Sequence, residues 1–288
     1  LKEVTKNEAI LENLKELAKK GISPSALTNY LHNPIAFYKQ KILKIQEFNE
    51  VEETVAFNTL GTVVHETLNE LYTPFINHFL DENSVVKMEK DARNLVLKHF
   101  KIHFKNGDIS TGKNRLIFEV ANRFVANFLA QEKKLVSNKN NQLKILATEE
   151  NLSAEITVEG IDFPIKLHGQ VDRVDELNGV VRIIDYKTGK VESKDLKVVD
   201  FGKLRVNEQH KAIQVLLYAY LFSKNKKYAF SKPLEAGIYS FKSLNQGFLP
   251  INFSSNYKVK ELAITEEKLE EFLVEIKNYM KEIFNKEV

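Results

Sequence analysis

The chain contains no cysteine among its 288 residues. This absence excludes disulfides, thiolate zinc sites, iron–sulfur clusters and cysteine nucleophiles. A reducing setting is the simplest one, and we expect a cytoplasmic protein. The sequence also lacks an apolar run long enough to span a bilayer. The N-terminal stretch LKEVTKNEAILENLKELAKKG is amphipathic and charged, unlike a signal peptide, and because it begins with Leu1 rather than Met we expect a piece of a longer chain.

Three common catalytic signatures are missing as well. The segment GDISTGKN, residues 107–114, falls short of a P-loop because Asn114 replaces the hydroxyl that holds Mg²⁺. His99 and His103 have the spacing of zinc-protease ligands, but the glutamate required after the first histidine is absent, so we expect surface or half-buried histidines. No G-x-S-x-G segment occurs. Nucleotide hydrolysis, zinc-protease chemistry and esterase chemistry are therefore not expected.

The composition is that of a globular chain. Apolar residues make up 43% of the sequence and charged residues 28%, which is enough to bury a core. The net charge of +3 permits a polyanionic partner without requiring one. The length suits one large domain or two small ones.

The N-terminal half of the chain, residues 1–140, has helical periodicity. Ser23 followed by Pro24 is typical of an N-cap with proline at the first helical position. Further amphipathic helices are predicted near residues 87–104 and 115–136. An apolar stripe at helical spacing is formed by Leu60, Val64, Leu68 and Leu71.

From residue 141 onward the apolar period changes to two, which indicates strands. The predicted strands cover residues 144–158, 163–176, 179–188 and 235–241, with helices at 208–224 and after the N-cap Thr265. We expect an α/β, or mixed α+β, fold in which helices flank a small mixed central sheet. The helical region (residues 1–140) and the sheet-containing region (residues 141–288) are expected to form one compact domain.

A hairpin is predicted around Asn178-Gly179, the strongest short-range signal for a two-residue turn. Counting outward from this turn places Asp172 opposite Asp185. Lys187 then lies on the same face, because side chains alternate along a strand.

Two carboxylates that stand directly opposite each other destabilise a hairpin unless a cation lies between them. A divalent metal with oxygen ligands would fill that role. The alternative is that these acids are solvated on an exposed face. On the opposite face, Asp175 is predicted to form an ordinary cross-strand ion pair with Arg182.

Four segments together resemble a known family. GQVDR followed by IIDYKTG is similar to the D…(D/E)-x-K signature of the PD-(D/E)xK nuclease superfamily, and more narrowly to the nuclease domains of the RecB and AddB helicase–nuclease subunits. GTVVHETLNELY resembles its G-x-x-x-H motif, QVLLY its Q-x-x-x-Y motif, and SPSALTNYLHNPIAFYKQKI the opening of AddB-type domains. Where AddB-type domains often carry a cluster-binding cysteine, this chain has Asn33, so no iron–sulfur cluster is expected and ordinary packing must hold the N-terminal segment in place.

The resemblance implies a restriction-endonuclease-like core and a set of metal ligands for Mg²⁺ or Mn²⁺. The implied ligands are His65, Asp172, Asp185 and the backbone carbonyl of Tyr186. Gly61, one turn before the histidine, is expected to let another backbone approach the helix closely. Glu149 is a possible further acid, for which Glu150 and Glu155 are alternatives.

Other residues receive roles from the same resemblance. Lys187 would orient and help deprotonate the attacking water and offset charge in the transition state. Gln214 and Tyr218, spaced i, i+4, would hold the lysine, the water or a phosphate; alternatively, the tyrosine belongs to the core and the glutamine bonds a neighbour. Candidate DNA contacts are Arg173 and Thr188, which adjoin the motif, and Lys190, Lys203 and Arg205 in the basic segment that follows it; the alternative is that this segment is a solvated charged loop.

The expected function is that of a metal-dependent deoxyribonuclease, with exonuclease action favoured over site-specific endonuclease action. The resemblance implies a bacterial, nucleoid-associated role in double-strand break processing and recombinational repair. Its partners would be DNA and a helicase, either as a separate protein or in the same polypeptide. The alternative is a catalytically silent nuclease fold that serves as a DNA-binding or scaffolding module.

Overall fold

A mixed sheet forms the centre of the fold. The structure is a computed structural model that describes residues 6–45, 57–104, 109–225, 232–256 and 258–284, and within these residues the sheet has six strands. The strands are β1 (Phe79–Leu80), β2 (Leu143–Ile156), β3 (Ile165–Leu177), β4 (Val180–Lys187), β5 (Leu234–Ser240) and β6 (Phe248–Pro250). They lie in sequence order, antiparallel except for the parallel pair β4 and β5.

Helices cover the sheet. They are α1 (Glu8–Lys20), α2 (Pro24–His32), α3 (Pro34–Phe37), α4 (Phe57–Tyr72), α5 (Glu82–His103), α6 (Gly112–Ser137), α7 (His210–Ser223) and α8 (Glu266–Phe284). Short 3₁₀ turns and one π-turn join some of them. This architecture confirms the predicted α/β fold with a mixed central sheet, as in restriction-endonuclease-like proteins. None of the helices among the described residues combines the length and apolar character that a bilayer crossing requires.

Two apolar cores account for the arrangement. One core joins α1, α2, α3, α7 and α8 to the sheet, and the other joins α4, α5 and α6 to it. The four residues of the predicted stripe on α4, Leu60 to Leu71, are all buried in the second core. Both cores draw on residues from each side of position 140, so the division of the chain at that position remains a prediction.

Side-chain caps fix the starts of several helices. The Ser23 hydroxyl accepts a hydrogen bond from the Ala26 amide at 3.2 Å, and Pro24 occupies the first position of α2. The Thr265 hydroxyl accepts from the Lys268 amide at 3.3 Å. Both predicted N-caps are confirmed, because each satisfies an amide that has no partner inside the helix.

The hairpin between β3 and β4 has the predicted register. Asn178 and Gly179 both adopt positive φ, 53° and 85°, as a two-residue hairpin turn requires. Asp175 pairs with Arg182, and the ladder continues to Arg173 opposite Ile184. Asp172 and Asp185 are next in line, where the ladder ends.

Strands β1 and β6 were not predicted. They contain two and three residues, which is too short for an alternating pattern to stand out in the sequence. β1 pairs with the start of β2. A bulge at Leu146 shifts the β2–β3 register by one residue, so that the rest of β2 faces β3 in a different alignment.

The N-terminal helices are tied to the end of the chain by polar contacts as well as by packing. The Tyr30 hydroxyl donates to the Glu282 carboxylate at 2.9 Å, and Arg205 donates to the same carboxylate at 2.9 Å. Glu282 thereby links α2, α8 and the loop before α7. The N-terminal segment is thus held to the C-terminal helix by a hydrogen bond as well as by the expected packing.

Candidate active site

An open cavity of about 910 Å³ contains most of the predicted site residues. Its wall includes residues from the start of α2, from α4, from β2, β3 and the end of β4, and from α7. The predicted residues that line it are His65, Glu149, Asp172, Asp185, Lys187, Thr188, Gln214 and Tyr218. Segments separated by about half of the chain therefore meet at one place.

Three of these side chains form a compact ligand group. Ligand atoms of His65, Glu149 and Asp172 all lie within 4.8 Å of one another. His65 Nδ1 lies 3.1 Å from Asp172 Oδ1. The His65 ring also packs edge-on against the ring of Tyr186, at 5.9 Å between centroids. The helix α4 therefore presents its histidine directly to the acids of the sheet.

Glu149 owes its position to the bulge in β2. Because Thr148 pairs with Arg173 and Glu150 with Val171, Glu149 stands opposite Asp172. Its φ of 47° lies in the left-handed region, which is uncommon for a residue other than glycine. This local distortion marks Glu149, rather than Glu150 or Glu155, as the acid that faces the histidine and Asp172.

The Asp172 carboxylate also binds the neighbouring strand. Its Oδ2 accepts a hydrogen bond from the Tyr186 amide at 2.6 Å, just beyond the end of the β3–β4 ladder. The carboxylate satisfies an amide that no longer has a strand partner on that side. This bond fixes the aspartate between β4 and the acid of β2.

Asp185 and Lys187 form the second half of the site. Asp185 is almost completely buried, and its carboxylate lies 2.9 Å from the Lys187 ammonium. The Lys187 side chain remains about 30% exposed and borders the cavity. This placement agrees with the prediction that one face carries Asp172, Asp185 and Lys187. The Asp185 carboxylate is turned toward the lysine rather than toward the compact ligand group.

The electrostatics of the cavity favour a cation. Burial, reinforced by the charge on Asp172, raises the pKa of Glu149 to about 7. Burial, opposed by Lys187 and reinforced by Asp172, raises the pKa of Asp185 to about 6. Burial disfavours a charged His65, but the carboxylate of Asp172 outweighs it and raises the pKa of the histidine to about 9. The raised pKa values of the Glu149 and Asp185 carboxyl groups share one main cause, the cost of burying a negative charge, and a bound cation would offset that cost.

Gln214 and Tyr218 project together from α7. The glutamine Nε2 donates to the tyrosine hydroxyl at 3.0 Å, and both side chains line the cavity. The tyrosine is only 7% exposed, so the predicted alternative that it packs in the core holds at the same time. Its ring lies against Gly169, where an added Cβ would stand 2.7 Å from the ring carbon Cε1.

Arg173 is not a DNA contact, and this prediction was wrong. The side chain is completely buried on the other face of β3, where it donates to Glu132 at 2.9 Å and lies 2.6 Å from Asp175. Asp175 in turn accepts two hydrogen bonds from Arg182, so the predicted ion pair is confirmed but belongs to a buried network. A guanidinium held inside the protein cannot reach a phosphate.

The other candidate DNA contacts are in different positions. Thr188 lines the cavity. Lys190 and Lys203 are well exposed and pair with nearby acids, and Arg205 is occupied by Glu282. Their contact with DNA remains a prediction.

Three other features differ from expectation or were missed. At Gly61 an added Cβ would lie 3.7 Å from the Thr188 hydroxyl, which is an ordinary contact with a side chain, not a close approach of another backbone. Glu66, which also lines the cavity, was not singled out. Its place directly after His65 was the one available signal. Gly169 was noted only within a motif, because its contact with Tyr218 depends on tertiary packing.

The donor set fits a divalent metal. Two carboxylates and one imidazole nitrogen converge in an accessible, negatively charged cavity, and oxygen-rich sites of this type suit Mg²⁺ or Mn²⁺. The imidazole makes Mn²⁺ more welcome than an all-oxygen site would. The ligand role of the Tyr186 carbonyl remains a prediction.

Comparison with protein families agrees with this geometry. The sequence profile of the PD-(D/E)XK nuclease superfamily matches residues 21–288, which is most of the chain. The chain belongs to this superfamily. Comparison with curated protein sequences finds no significant match. Membership of the PD-(D/E)XK nuclease superfamily implies a metal-dependent nuclease that contacts nucleic acid. The acids, the histidine and the lysine that the sequence predicts for its site line one cavity here.

Proposed function

We propose that the protein is a metal-dependent deoxyribonuclease that hydrolyses phosphodiester bonds of DNA, acting from strand ends. The observation that carries this proposal is the convergence of His65, Glu149 and Asp172 within 4.8 Å, beside the Asp185–Lys187 pair, in a cavity open to solvent. A catalytically silent module has no need of this combination of mutually repelling acids, of which Asp185 is buried and Glu149 and Asp172 are half-buried.

The residues that would hold Mg²⁺ or Mn²⁺ are His65, Glu149 and Asp172, joined by Asp185. When bound, such an ion supplies a water of lowered pKa and neutralises charge that develops on the phosphate. The protein fixes the ligands beforehand. Asp172 is held by the Tyr186 amide. The Glu149 backbone is held in its unusual conformation because the residues before and after it in β2 are paired with β3.

Lys187 is placed to act on the reacting groups. Its ammonium donates to Asp185 at 3.1 Å and also borders the cavity. From there it can donate a hydrogen bond to the attacking water or to a phosphate oxygen, and it offsets negative charge in the transition state. Lysine suits this role because its point charge can turn between acceptors.

Gln214 and Tyr218 would position the substrate or the water. The glutamine amide donates to the tyrosine hydroxyl, which leaves the hydroxyl proton free to turn toward the cavity. Burial of the tyrosine ring limits its movement, so the polar ends of the two side chains stay in place.

The finer assignments rest on the resemblance of four segments to RecB and AddB nuclease domains. These four segments support single-stranded DNA ends as substrate and action during double-strand break processing and recombinational repair. They support a helicase as partner or as a further region of the polypeptide. They also support a bacterial cytoplasmic, nucleoid-associated location. The absence of cysteine is compatible with that location.

Degradation of end-labelled single strands in the presence of Mg²⁺ or Mn²⁺ tests the proposal. We expect the wild type to release short products from linear strands and to leave circular strands intact. Asp172→Asn and Lys187→Ala should each reduce the rate at least about 100-fold, a loss of about 2.7 kcal/mol of transition-state stabilisation.

Two matched variants serve as controls. Asp162→Asn and Lys113→Ala change exposed residues outside the cavity lining and should retain the wild-type rate. Cutting that survives both cavity substitutions would contradict the site assignment. Cutting of circular strands would replace the exonuclease proposal by an endonuclease. DNA binding by a wild type that cuts neither form would support the silent module.

A further inference from the structure

A group of buried charges lies behind the proposed site, on the face of the sheet that α4, α5 and α6 cover. Strand residues alternate between the two faces, so Asp172 borders the cavity while Arg173 is completely buried on the other side. The same alternation places Tyr186, which follows Asp185, in the core beneath α4 and α6. The residues that directly follow the two aspartates of the site are thus anchored on the reverse face of the sheet.

Glu132 of α6 joins this buried group to α4. Its Oε2 accepts a hydrogen bond from the Arg173 guanidinium at 2.9 Å and another from the Tyr72 hydroxyl at 3.0 Å. All three side chains are buried. Burial and the Glu132 carboxylate raise the pKa of Tyr72 well above its usual value, so the hydroxyl stays protonated and remains a donor. One carboxylate oxygen therefore ties α4 to β3.

Tyr72 lies on the same helix as His65. The two residues are seven positions apart on α4, about two helical turns, so their side chains project from the same side of the helix. His65 Nδ1 lies 3.1 Å from Asp172 Oδ1. A shift or rotation of α4 on the sheet would carry the histidine with it and change that distance. The geometry of the proposed metal ligands therefore depends on how α4 is held.

Aromatic packing brings the same elements together. Phe128, one turn before Glu132 on α6, packs edge-on against the rings of Tyr72 and Tyr186, at 6.4 and 5.4 Å between centroids. The Arg173 guanidinium lies over the Tyr72 ring, 4.6 Å from its centroid. Ring packing is compatible with small displacements of one helix over another, whereas a buried hydrogen-bonded group specifies one arrangement.

Stability alone does not account for the charged group. A buried guanidinium needs charged partners, because an unpaired charge in the interior is strongly destabilising. Arg173 and Arg182 face the carboxylates of Glu132 and Asp175, so positive and negative charges are matched. Apolar side chains of similar volume are often as stable as such a group. The orientation that the charges impose on α4 and β3 is the property that apolar packing would not supply.

We infer that Glu132 is a positioning residue for the proposed metal site: through Tyr72 and Arg173 it fixes α4 on β3 and so holds His65 against Asp172. This role rests on the proposed function, because it concerns the same group of metal ligands. Glu132 is not part of the cavity wall, and it acts on the ligands only through the two elements that it joins.

Calorimetric titration of the full chain with Mn²⁺, without DNA, tests this role at a temperature at which circular dichroism shows each variant to be folded. The relevant binding step is the one that Asp172→Asn abolishes. Tyr72→Phe keeps the ring and removes only the hydroxyl that joins α4 to Glu132. We expect it to raise the Kd for Mn²⁺ about 10-fold or more, as the loss of a group that supports a metal ligand does.

Substitutions of Glu132 separate its hydrogen bonds from its bulk. Glu132→Gln retains an oxygen that can accept from both Tyr72 and Arg173, so it should weaken Mn²⁺ binding less than Glu132→Ala does. Equal losses in these two variants would show that the hydrogen bonds have no part in positioning. If Glu132→Ala does not fold, the Tyr72→Phe titration decides.

Tyr30→Phe is the matched control, because it also removes one tyrosine hydrogen bond to a glutamate, that to Glu282 at 2.9 Å, and leaves α4 unchanged. It should keep the wild-type Kd. A purely structural role of Tyr72 would leave the Kd of the folded Tyr72→Phe variant equal to that of the wild type, and this result would overturn the inference. So would a wild type without the Mn²⁺-binding step.

Strand cutting by the wild type tests the nuclease function separately. A wild type that binds Mn²⁺ more tightly than Tyr72→Phe but cuts no DNA would contradict the nuclease proposal and still support the positioning role of Glu132. A wild type that cuts DNA and binds Mn²⁺ no more tightly than Tyr72→Phe would support the nuclease and overturn the positioning role.

Discussion

The absence of a side chain at Gly169 leaves room for the Tyr218 ring. A methyl group there would lie 2.7 Å from one ring carbon, closer than real contacts allow, and 3.0 Å from another. The ring is buried and cannot move freely, so the strain passes to the polar end of Tyr218 and to its bond with Gln214. The position of a cavity residue therefore depends on a residue that has no side chain.

Gly169→Ala should lower nuclease activity about tenfold or more and the free energy of unfolding by about 1–3 kcal/mol, the usual effect of an overpacked core. Denaturant unfolding and strand-degradation rates measure the two effects separately.

Gly61→Ala is the comparison for that variant. Its added methyl meets Thr188 only at 3.7 Å, and alanine favours the interior of a helix by about 1 kcal/mol. It should retain activity and be as stable as the wild type or more so. Equal losses in the two variants would contradict the packing argument.

At the residue scale, the sequence identifies candidate site residues better than it predicts the partners of those residues in the fold. His65 and Asp172 are 107 residues apart, and only the resemblance to a nuclease family joins them before the fold is known. Glu149 could not be separated from its neighbours because its backbone conformation arises from pairing across the bulge. Arg173 follows Asp172 in sequence but faces the opposite side of the sheet, where tertiary contacts decide its partners.

At the scale of single elements, helix α5 depends on the residue that precedes it. Asp81 caps the helix by accepting from the Ser84 hydroxyl at 2.6 Å and from the Ser84 amide at 2.7 Å. These bonds lower the pKa of Asp81. A lowered pKa in the folded state means that the cap stabilises the protein above the ordinary pKa of aspartate and loses this effect as the pH falls through the folded value.

Asp81→Ala should therefore cost about 1 kcal/mol at pH 7 and less as the pH falls toward 3. Asp81→Asn should cost little at pH 7, since asparagine caps a helix about as well, and it should remove this contribution to the pH dependence. Urea unfolding of the three proteins between pH 3 and pH 7 provides the measurement. A cost of Asp81→Ala that stays constant over this range would show that the carboxylate charge has no role in the cap.

Secondary structure was predictable where one local signal dominates. The Asn178-Gly179 turn determined the register of the hairpin, because a two-residue loop leaves no freedom in the pairing. The caps at Ser23 and Thr265 marked helix starts for the same local reason. The strands of two and three residues escaped prediction because only their pairing partners define them.

At the scale of the whole molecule, the cavity brings together carboxylates that repel one another. Glu149, Asp172 and Asp185 lie close together and raise one another's energy, and a bound cation relieves this. The folded protein holds these ligands in place, whereas the unfolded chain does not. A metal should therefore stabilise the fold.

Mg²⁺ should raise the free energy of unfolding of the wild type by about 2.7 kcal/mol when its concentration is roughly 100 times its Kd. Differential scanning calorimetry with Mg²⁺ and with a chelator measures the shift. Asp172→Asn should lose most of it, because the amide is a weaker ligand. Asp162→Asn, an exposed change of the same chemistry, should keep it. A shift of equal size in both variants would place the ion elsewhere.

The cavity takes its residues from α4, β2, β3, β4 and α7. These elements are not synthesised at the same time. His65 leaves the ribosome before Gln214 and Tyr218, which follow about 150 residues later in the sequence. A chain whose synthesis stops before α7 carries the acids and the lysine without the glutamine and tyrosine that complete the wall. The full set of cavity residues is therefore present only after α7 has been synthesised.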